Sequence, residues 1–261
     1  MKKMTIKSIK EKAAAMKAEE AFRWLSSIAE EYGDSVKKLA DIYYKRAEAI
    51  RKEHERLLAM SAMELEAYSQ GFQFVGGIDE AGRGPLAGPV VAACAILPPG
   101  VLIERINDSK KLTQAVREEL FDEIKEKAVA YGIGIVDNET IDEINIYEAT
   151  KMAMCLALEN MQIKPDYLII DAVKLNVDIP QMAVPKADMN SISVAAASIL
   201  AKVTRDRLMD ELDKVHPGYG FAKHKGYGTK EHLEAIKEKG LCPIHRRSFT
   251  GKIFIKTGGE P

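Results

Sequence analysis

The first 70 residues contain no Pro and a single Gly, Gly33, and their apolar positions recur at helical spacing. Phe22, Leu25, Ile28 and Tyr32 form one stripe, and Val36, Leu39, Tyr43, Ile50 and Leu57 form another, the period of helices that bury one face. Gly33-Asp34-Ser35 breaks them, with Asp34 or Ser35 placed as the next N-cap. The pattern predicts an α-helical hairpin, or two linked helices, over residues 1–70, a scaffold or else a nucleic-acid-gripping appendage. At about residue 71 the texture changes. Phe72–Ile78 reads as a strand, and Ala87–Leu97 is a nearly continuous apolar run ended by Pro98-Pro99-Gly100. A charged helix then starts at Thr113 and reaches about Val129. A short alternating strand covers Tyr131–Val136. A helix over Asn145–Met161 carries Met152, Cys155, Leu156 and Leu158 as expected core. The run Tyr167-Leu168-Ile169-Ile170 is a buried strand that stops at Asp171, residues 191–212 make a long helix rich in Ala and Ser, and a last helix starts near Thr229. Strands alternating with helices from 71 onward predict an α/β domain over 71–261 with a mixed sheet.

Composition changes this picture little. With 261 residues, 46% hydrophobic and 30% charged, the chain is of ordinary globular make-up. Three scattered Cys do not build a disulfide framework, which favours a reducing compartment. No apolar run nears the roughly 18 residues of a membrane span, and no signal core follows the basic N-terminus. The expectation is a soluble, cytoplasmic protein, with nothing that demands more than a monomer. Charge is uneven: residues 1–70 carry 14 Lys/Arg and 12 Asp/Glu, residues 71–201 carry 11 and 19, and residues 202–261 carry 13 and 8. An acidic middle between basic ends suits a carboxylate site served by cationic surface.

Two predicted strands end in acids, Asp79-Glu80 and Asp171, and Asp188 lies just ahead of the long helix. Ligands of open α/β sheets gather at the carboxyl ends of strands. Clustered carboxylates repel and ordinarily take a cation between them, and an all-oxygen set selects a hard cation, Mg²⁺ or Mn²⁺. Adjacent Asp79 and Glu80 face opposite sides of an ideal strand, so both reach one site only if the strand ends there or Glu80 offers its carbonyl. Cys242 and His245 are the nearest approach to a zinc pattern, and their i, i+3 spacing reads as incidental. Directly after the first acids comes Gly82-Arg83-Gly84-Pro85-Leu86-Ala87-Gly88-Pro89. It allows close backbone approach by a ligand and lacks the Gly-Lys-Ser/Thr and following helix of a nucleotide-triphosphate loop.

The stretch from Gly77 to Val90 strongly resembles the opening motif of bacterial ribonuclease HII. The likeness continues in order through Asp108-Ser109-Lys110-Lys111-Leu112, Asp171-Ala172, Lys186-Ala187-Asp188, Ala195–Asp206, His224-Lys225-Gly226-Tyr227-Gly228-Thr229 and His245-Arg246-Arg247-Ser248-Phe249. It spans about residues 72–250. Arg83 between glycines favours this family over ribonuclease HIII, which carries Lys there. Residues 1–70 resemble, more weakly, the helical extension of some Firmicute members. The resemblance implies a ribonuclease H-like α/β fold, a mixed β-sheet flanked by helices, and an endonuclease that cuts the RNA strand of RNA/DNA hybrids and single ribonucleotides in duplex DNA. It assigns Asp79, Glu80, Asp171 and Asp188 as ligands of two Mg²⁺ or Mn²⁺ ions, and leaves Asp206 in its helix as a non-ligand. Where the family has Lys-Gly-Asp, this chain has Lys186-Ala187-Asp188. It further implies that backbone groups of Gly82, Arg83 and Gly84 read the 2′-hydroxyl and that Tyr227 packs on the deoxyribose beyond the scissile bond. Ser109, Lys110 and Lys225 are expected substrate contacts, with Lys111, Lys186 and Arg246 as further phosphate candidates. A non-catalytic hybrid binder with the same fold is the alternative, and retention of all four acids speaks against it.

Overall fold

The structure is a computed structural model that describes residues 4–251, and the chain divides into two compact units, Met1–Leu58 and Ala59–Pro261. Within the first, α1 (Ile6–Ala14), α2 (Ala18–Tyr32) and α3 (Asp34–Met60, which runs past the division) succeed one another. Thr5 caps α1 by accepting the Ser8 amide, and Gly33, at φ 79°, closes α2 in a conformation that favours glycine. The core joins Ile9, Ala13, Leu25, Ala29, Val36 and Tyr43. The hydrophobic pattern thus finds α2 and α3 but not the shorter α1. Ile50, expected on the buried stripe, is exposed, whereas Leu57 of the same stripe is buried.

The second unit begins ahead of the change in texture at residue 71. Its α4 (Ala62–Ser69) packs Ala67 with Val75 and Val194, and the Tyr68 hydroxyl donates to the Leu97 carbonyl. A five-stranded sheet follows, in the order β3-β2-β1-β4-β5. The strands are β1 (Val75–Ala81), β2 (Val90–Ile96), β3 (Ala130–Val136), β4 (Tyr167–Asp171) and β5 (Gln181–Val184). β2 runs antiparallel to both β1 and β3, whereas β1–β4 and β4–β5 are parallel. The sheet is therefore mixed, as expected. β5 escaped the sequence reading because its four residues show no apolar alternation, being half-buried or exposed.

Helices α5 (Gln114–Lys127), α6 (Asn138–Glu159), α7 (Ile192–Val215), α8 (Phe221–His224) and α9 (Lys230–Lys239) complete the unit. α6 starts earlier than the predicted Asn145 and kinks there: Asn145 has φ 69°, and its side chain accepts the Tyr147 and Glu148 amides, so it caps the second segment. The buried face of α6 is only partly the predicted one: Leu158 is buried and Leu156 packs half-buried against the core. Ala149, Ala153, Met154 and Ala157 are buried and Met152 is exposed. The cause lies on β3, where a Cβ on Gly134 or Gly132 would stand 2.0 Å from the Ala153 carbonyl oxygen or 2.1 Å from that of Ala157. Glycines on the strand and alanines on the helix let the two backbones nearly touch. The same device sets α7 on β1, since a Cβ on Gly77 would lie 2.2 Å from the backbone of Ser193 and Val194.

Candidate active site

Side-chain alternation decides where the acids of the central strands point. Ile78 and Ile170 pack in the core that includes α6, whereas Val75 and Ile169 pack in the one that includes Val194 of α7. The parallel register pairs Ile78 with Ile170. One residue further, Asp79 and Asp171 emerge side by side at the carboxyl ends of β1 and β4, both toward α7.

Asp188 arrives through the connection from β5. The Lys186 and Ala187 amides donate to Asp171 Oδ1 at 2.6 and 3.3 Å, tying this loop to the end of β4. Lys186, not Ala187, takes the left-handed conformation, φ 60°. Alanine in place of the family's glycine thus carries no backbone strain, and Ala187 is fully buried beside Val194. Asp188 then lies in a short 3₁₀ turn, Ala187–Met189, ahead of α7. The α7 N-terminus is anchored from α4: Glu64 Oε1 accepts the Ser191 hydroxyl at 2.5 Å and the Ser193 amide at 2.9 Å.

The four acids feel one another's charge. Burial holds the Asp79 carboxyl well above the usual carboxylate range, reinforced by the charges of Glu80 and Asp171 and opposed by a hydrogen bond from Ser198. Burial also raises Glu80, with Arg83 pulling it down and Asp171 pushing it up. Asp188 is raised by burial and then by Asp108 and Asp171. Asp171 thus acts on each of the other three. β1 continues one residue past Glu80, so alternation turns Glu80 away from α7, yet its carboxylate stays within the field of Asp171 and Lys110. Its Oε1 takes a bond of 3.3 Å from Arg83, while its Oε2 is buried with no hydrogen-bond partner. Among the described residues no three or more His, Cys, Asp or Glu side chains stand close enough to hold a metal ion as they are. The acids share a field without closing into a cage. Still, an orphaned carboxylate oxygen and desolvated acids with an all-oxygen donor set fit a hard divalent cation.

The glycine turn is held from below by two buried arginines. Arg205 donates to the carbonyls of Pro89 (2.9 Å), Ala87 (3.1 Å) and Lys225 (2.9 Å), and Arg246 to those of Gly88 (2.9 Å), Arg83 (3.0 Å) and Gly82 (2.6 Å). Gly82 has φ 97°, and a Cβ there would meet Arg205 Nε at 2.1 Å. Arg246, expected among the phosphate contacts, is fully buried in this frame.

The other candidates divide by exposure. Arg83, Gly84, Lys110, Lys111, Lys186 and Tyr227 are exposed, and Gly84 faces Tyr227, whose Cε1 lies 3.7 Å from where a Cβ would be. Ser109 is buried, its hydroxyl 2.9 Å from that of Ser198, which links the 3₁₀ turn Ser109–Lys111 to α7 beneath Asp79. Lys225 Nζ is turned to the Asp210 carboxylate and, at 3.3 Å, the Asp206 carbonyl. Asp206 bonds Lys202 at 2.7 Å and lies 3.9 Å from Arg117, away from any ligand role. Arg205, Ser198 and Glu64 are not among the candidates that the sequence offers. Buried polar residues within predicted helices were the available signal.

Comparison with known proteins accords with this geometry. A family model described as ribonuclease HII matches residues 76–252. The ribonuclease HII of Acetivibrio thermocellus is 53% identical over 256 residues, covering 98% of this chain and 100% of the relative. That of Ruminiclostridium cellulolyticum is 52% identical over 254 residues, covering 97% and 99%. Among solved structures, the ribonuclease H2 of Pyrococcus horikoshii OT3 aligns with a TM-score of 0.60 at 30% identity, covering 72% of this chain and all of that one.

Proposed function

Because the chain belongs to the ribonuclease HII family, we propose that it is a metal-dependent endonuclease that hydrolyses the RNA strand of RNA/DNA hybrids and cuts at single ribonucleotides embedded in duplex DNA. The observation that supports this reading is that Asp171, at the carboxyl end of β4, acts electrostatically on Asp79 and Glu80 of β1 and on Asp188 of the turn ahead of α7.

Asp79, Glu80, Asp171 and Asp188 are the residues that would hold two ions, Mg²⁺ or Mn²⁺. When bound, such ions supply water activation and leaving-group stabilisation for in-line hydrolysis to a 5′-phosphate and a 3′-hydroxyl. The protein's own groups do the rest. Asp79 is oriented by Ser198, which Ser109 orients in turn. Peptide groups of Gly82, Arg83 and Gly84, fixed by Arg205 and Arg246, meet the 2′-hydroxyl, which is both donor and acceptor and distinguishes RNA from DNA. Lys110 and Lys111 face the acids from an exposed turn and attract the phosphate backbone. Lys225 and Ser109 contribute through the shape of the site, since their polar atoms are engaged internally. Tyr227, exposed beside Gly84, offers its ring to the deoxyribose on the far side of the scissile bond.

The test is incubation of duplex DNA carrying one ribonucleotide with the full chain and Mg²⁺. Scission abolished by both EDTA and Asp79→Asn is the expected result. A duplex bound but left uncut would make the protein a binder of hybrids instead.

A further inference from the structure

Between the two segments that clasp the glycine turn runs a directed chain of hydrogen bonds that the reaction itself does not require. It starts at Cys242, whose amide donates to His245 Nδ1 at 2.9 Å. His245 Nδ1 also lies 3.2 Å from the Cys242 carbonyl oxygen, but it cannot donate there and accept the shorter amide bond as well; with the amide bond made, Nδ1 carries no proton and the His245 proton sits on Nε2. His245 Nε2 lies 3.1 Å from His232 Nε2, which must then accept. His232 consequently carries its proton on Nδ1, 2.9 Å from the Tyr227 carbonyl oxygen. Each link leaves one tautomer for the next, and the direction runs from the 242–245 turn to Tyr227.

Both ends of this chain touch the glycine turn. His245 forms a β-bridge with Ala87, and the Leu86 amide donates to the Gly226 carbonyl, next to Tyr227. Lys225 takes a left-handed conformation, φ 52°, that a residue with a Cβ adopts at a cost, while Gly226 at φ 83° adopts it freely; the turn leading into Tyr227 is thus fixed by its bonds at one strained position. The histidines are buried, and His232 packs edge-on against Phe221 with its ring centroid 5.3 Å away.

We propose that His245 and His232 form a positioning relay that sets the height of Tyr227 over the glycine turn and thereby tunes the preference for an RNA–DNA junction. The proposal rests on the reading of Tyr227 as a sugar contact. His232 and His245 touch no substrate in this account; they are positioning residues that act through one carbonyl.

Asparagine and glutamine separate the two ends of an imidazole, because the Asn amide nitrogen can occupy the place of Nδ1 and the Gln amide nitrogen that of Nε2. His232→Asn keeps the donor to Tyr227, and His232→Gln loses it. The readout is the ratio of cleavage at a single RNA–DNA junction to cleavage of a uniform hybrid, which a general loss of stability does not change. His232→Gln is expected to lower that ratio about tenfold relative to His232→Asn, the worth of one hydrogen bond in a barrier. In a Tyr227→Ala background the two variants should give the same ratio. Equal ratios for the two variants with Tyr227 present, or a tenfold split that persists without it, would overturn the relay. Should a variant fail to fold, ¹⁵N spectra of the imidazoles in the unmodified full chain decide: Nε2–H on His245 with Nδ1–H on His232 is expected, and Nδ1–H on His245 refutes the chain. A chain that cuts no hybrid at all would defeat the proposed function, while the tautomers would still judge the relay.

Discussion

The acids at the ends of β1 and β4 and the arginines beneath the glycine turn are both buried charge, and they are treated in opposite ways. Arg205 and Arg246 make no ion pair among the described residues, yet each donates to three carbonyl oxygens. Burial lowers their pKa values to about 10 and about 9, so both remain cations at neutral pH. The acids, by contrast, are crowded with their own kind, and Glu80 keeps a buried oxygen with no partner at all. A buried charge with its hydrogen bonds made is a finished part of the frame. One left with like charges around it waits for a ligand. Under the proposed function, the difference separates the scaffold of the site from its chemistry.

The contrast can be broken from either side. Asp79→Asn should lower cleavage by roughly 10³-fold, the upper end of what losing one transition-state-stabilising group costs. The same change should raise the metal-free stability, by about 1–2 kcal/mol, because it removes a desolvated charge from among its like; chemical unfolding without divalent ions measures this. Arg246→Met should do the reverse. Three carbonyls of the turn, those of Gly82 and Gly88 in buried bonds and that of Arg83 in a half-buried one, lose their donor, and the expected cost is about 3 kcal/mol, read as a lowered denaturation midpoint, with the rise in melting temperature on adding Mg²⁺ retained.

A smaller effect sharpens the comparison with a third kind of buried group. Burial, followed by the neighbouring His232, His216 and His224, brings His245 down to about 4. Between that value and the ordinary 6.5 the unfolded chain binds a proton that the folded chain refuses, so stability falls as pH drops through this window and levels off below it. The expected loss is on the order of 2–3 kcal/mol, and His245→Gln should flatten that limb of the stability–pH profile. The groups around this imidazole are Cys242, His232, the rings of Tyr219 and Phe221 and, as further charges, His216 and His224, none a carboxylate that could compensate.

Much of the site was legible because its parts are local in sequence. The acids stand at the ends of apolar runs, and the glycine turn is one unbroken segment. What stayed hidden depends on long-range geometry. Arg246 read as surface cation, because nothing in the residues around it tells that Gly82, Arg83 and Gly88 aim their carbonyls at it. Lys225 read as a phosphate contact, although Asp210, on the facing α7, takes its charge. Cys242 and His245 stand at a spacing that reads as incidental, and their link to His232 appears only when α9 is packed beside the 242–245 turn. On α6 the larger apolar residues drew attention from the alanines, whose burial follows from glycines on a strand more than a dozen residues earlier.

The central claim is that the carboxylates around Asp171 form one divalent-cation site. Titration of Mn²⁺ into the full chain, with free Mn²⁺ followed by electron paramagnetic resonance, tests it directly. Asp171→Asn should weaken binding by at least about tenfold, whereas Asp178→Asn, an exposed acid in the loop after β4, should bind as the unaltered chain does. Equal Mn²⁺ affinity in the Asp171→Asn variant and the unaltered chain would contradict the account.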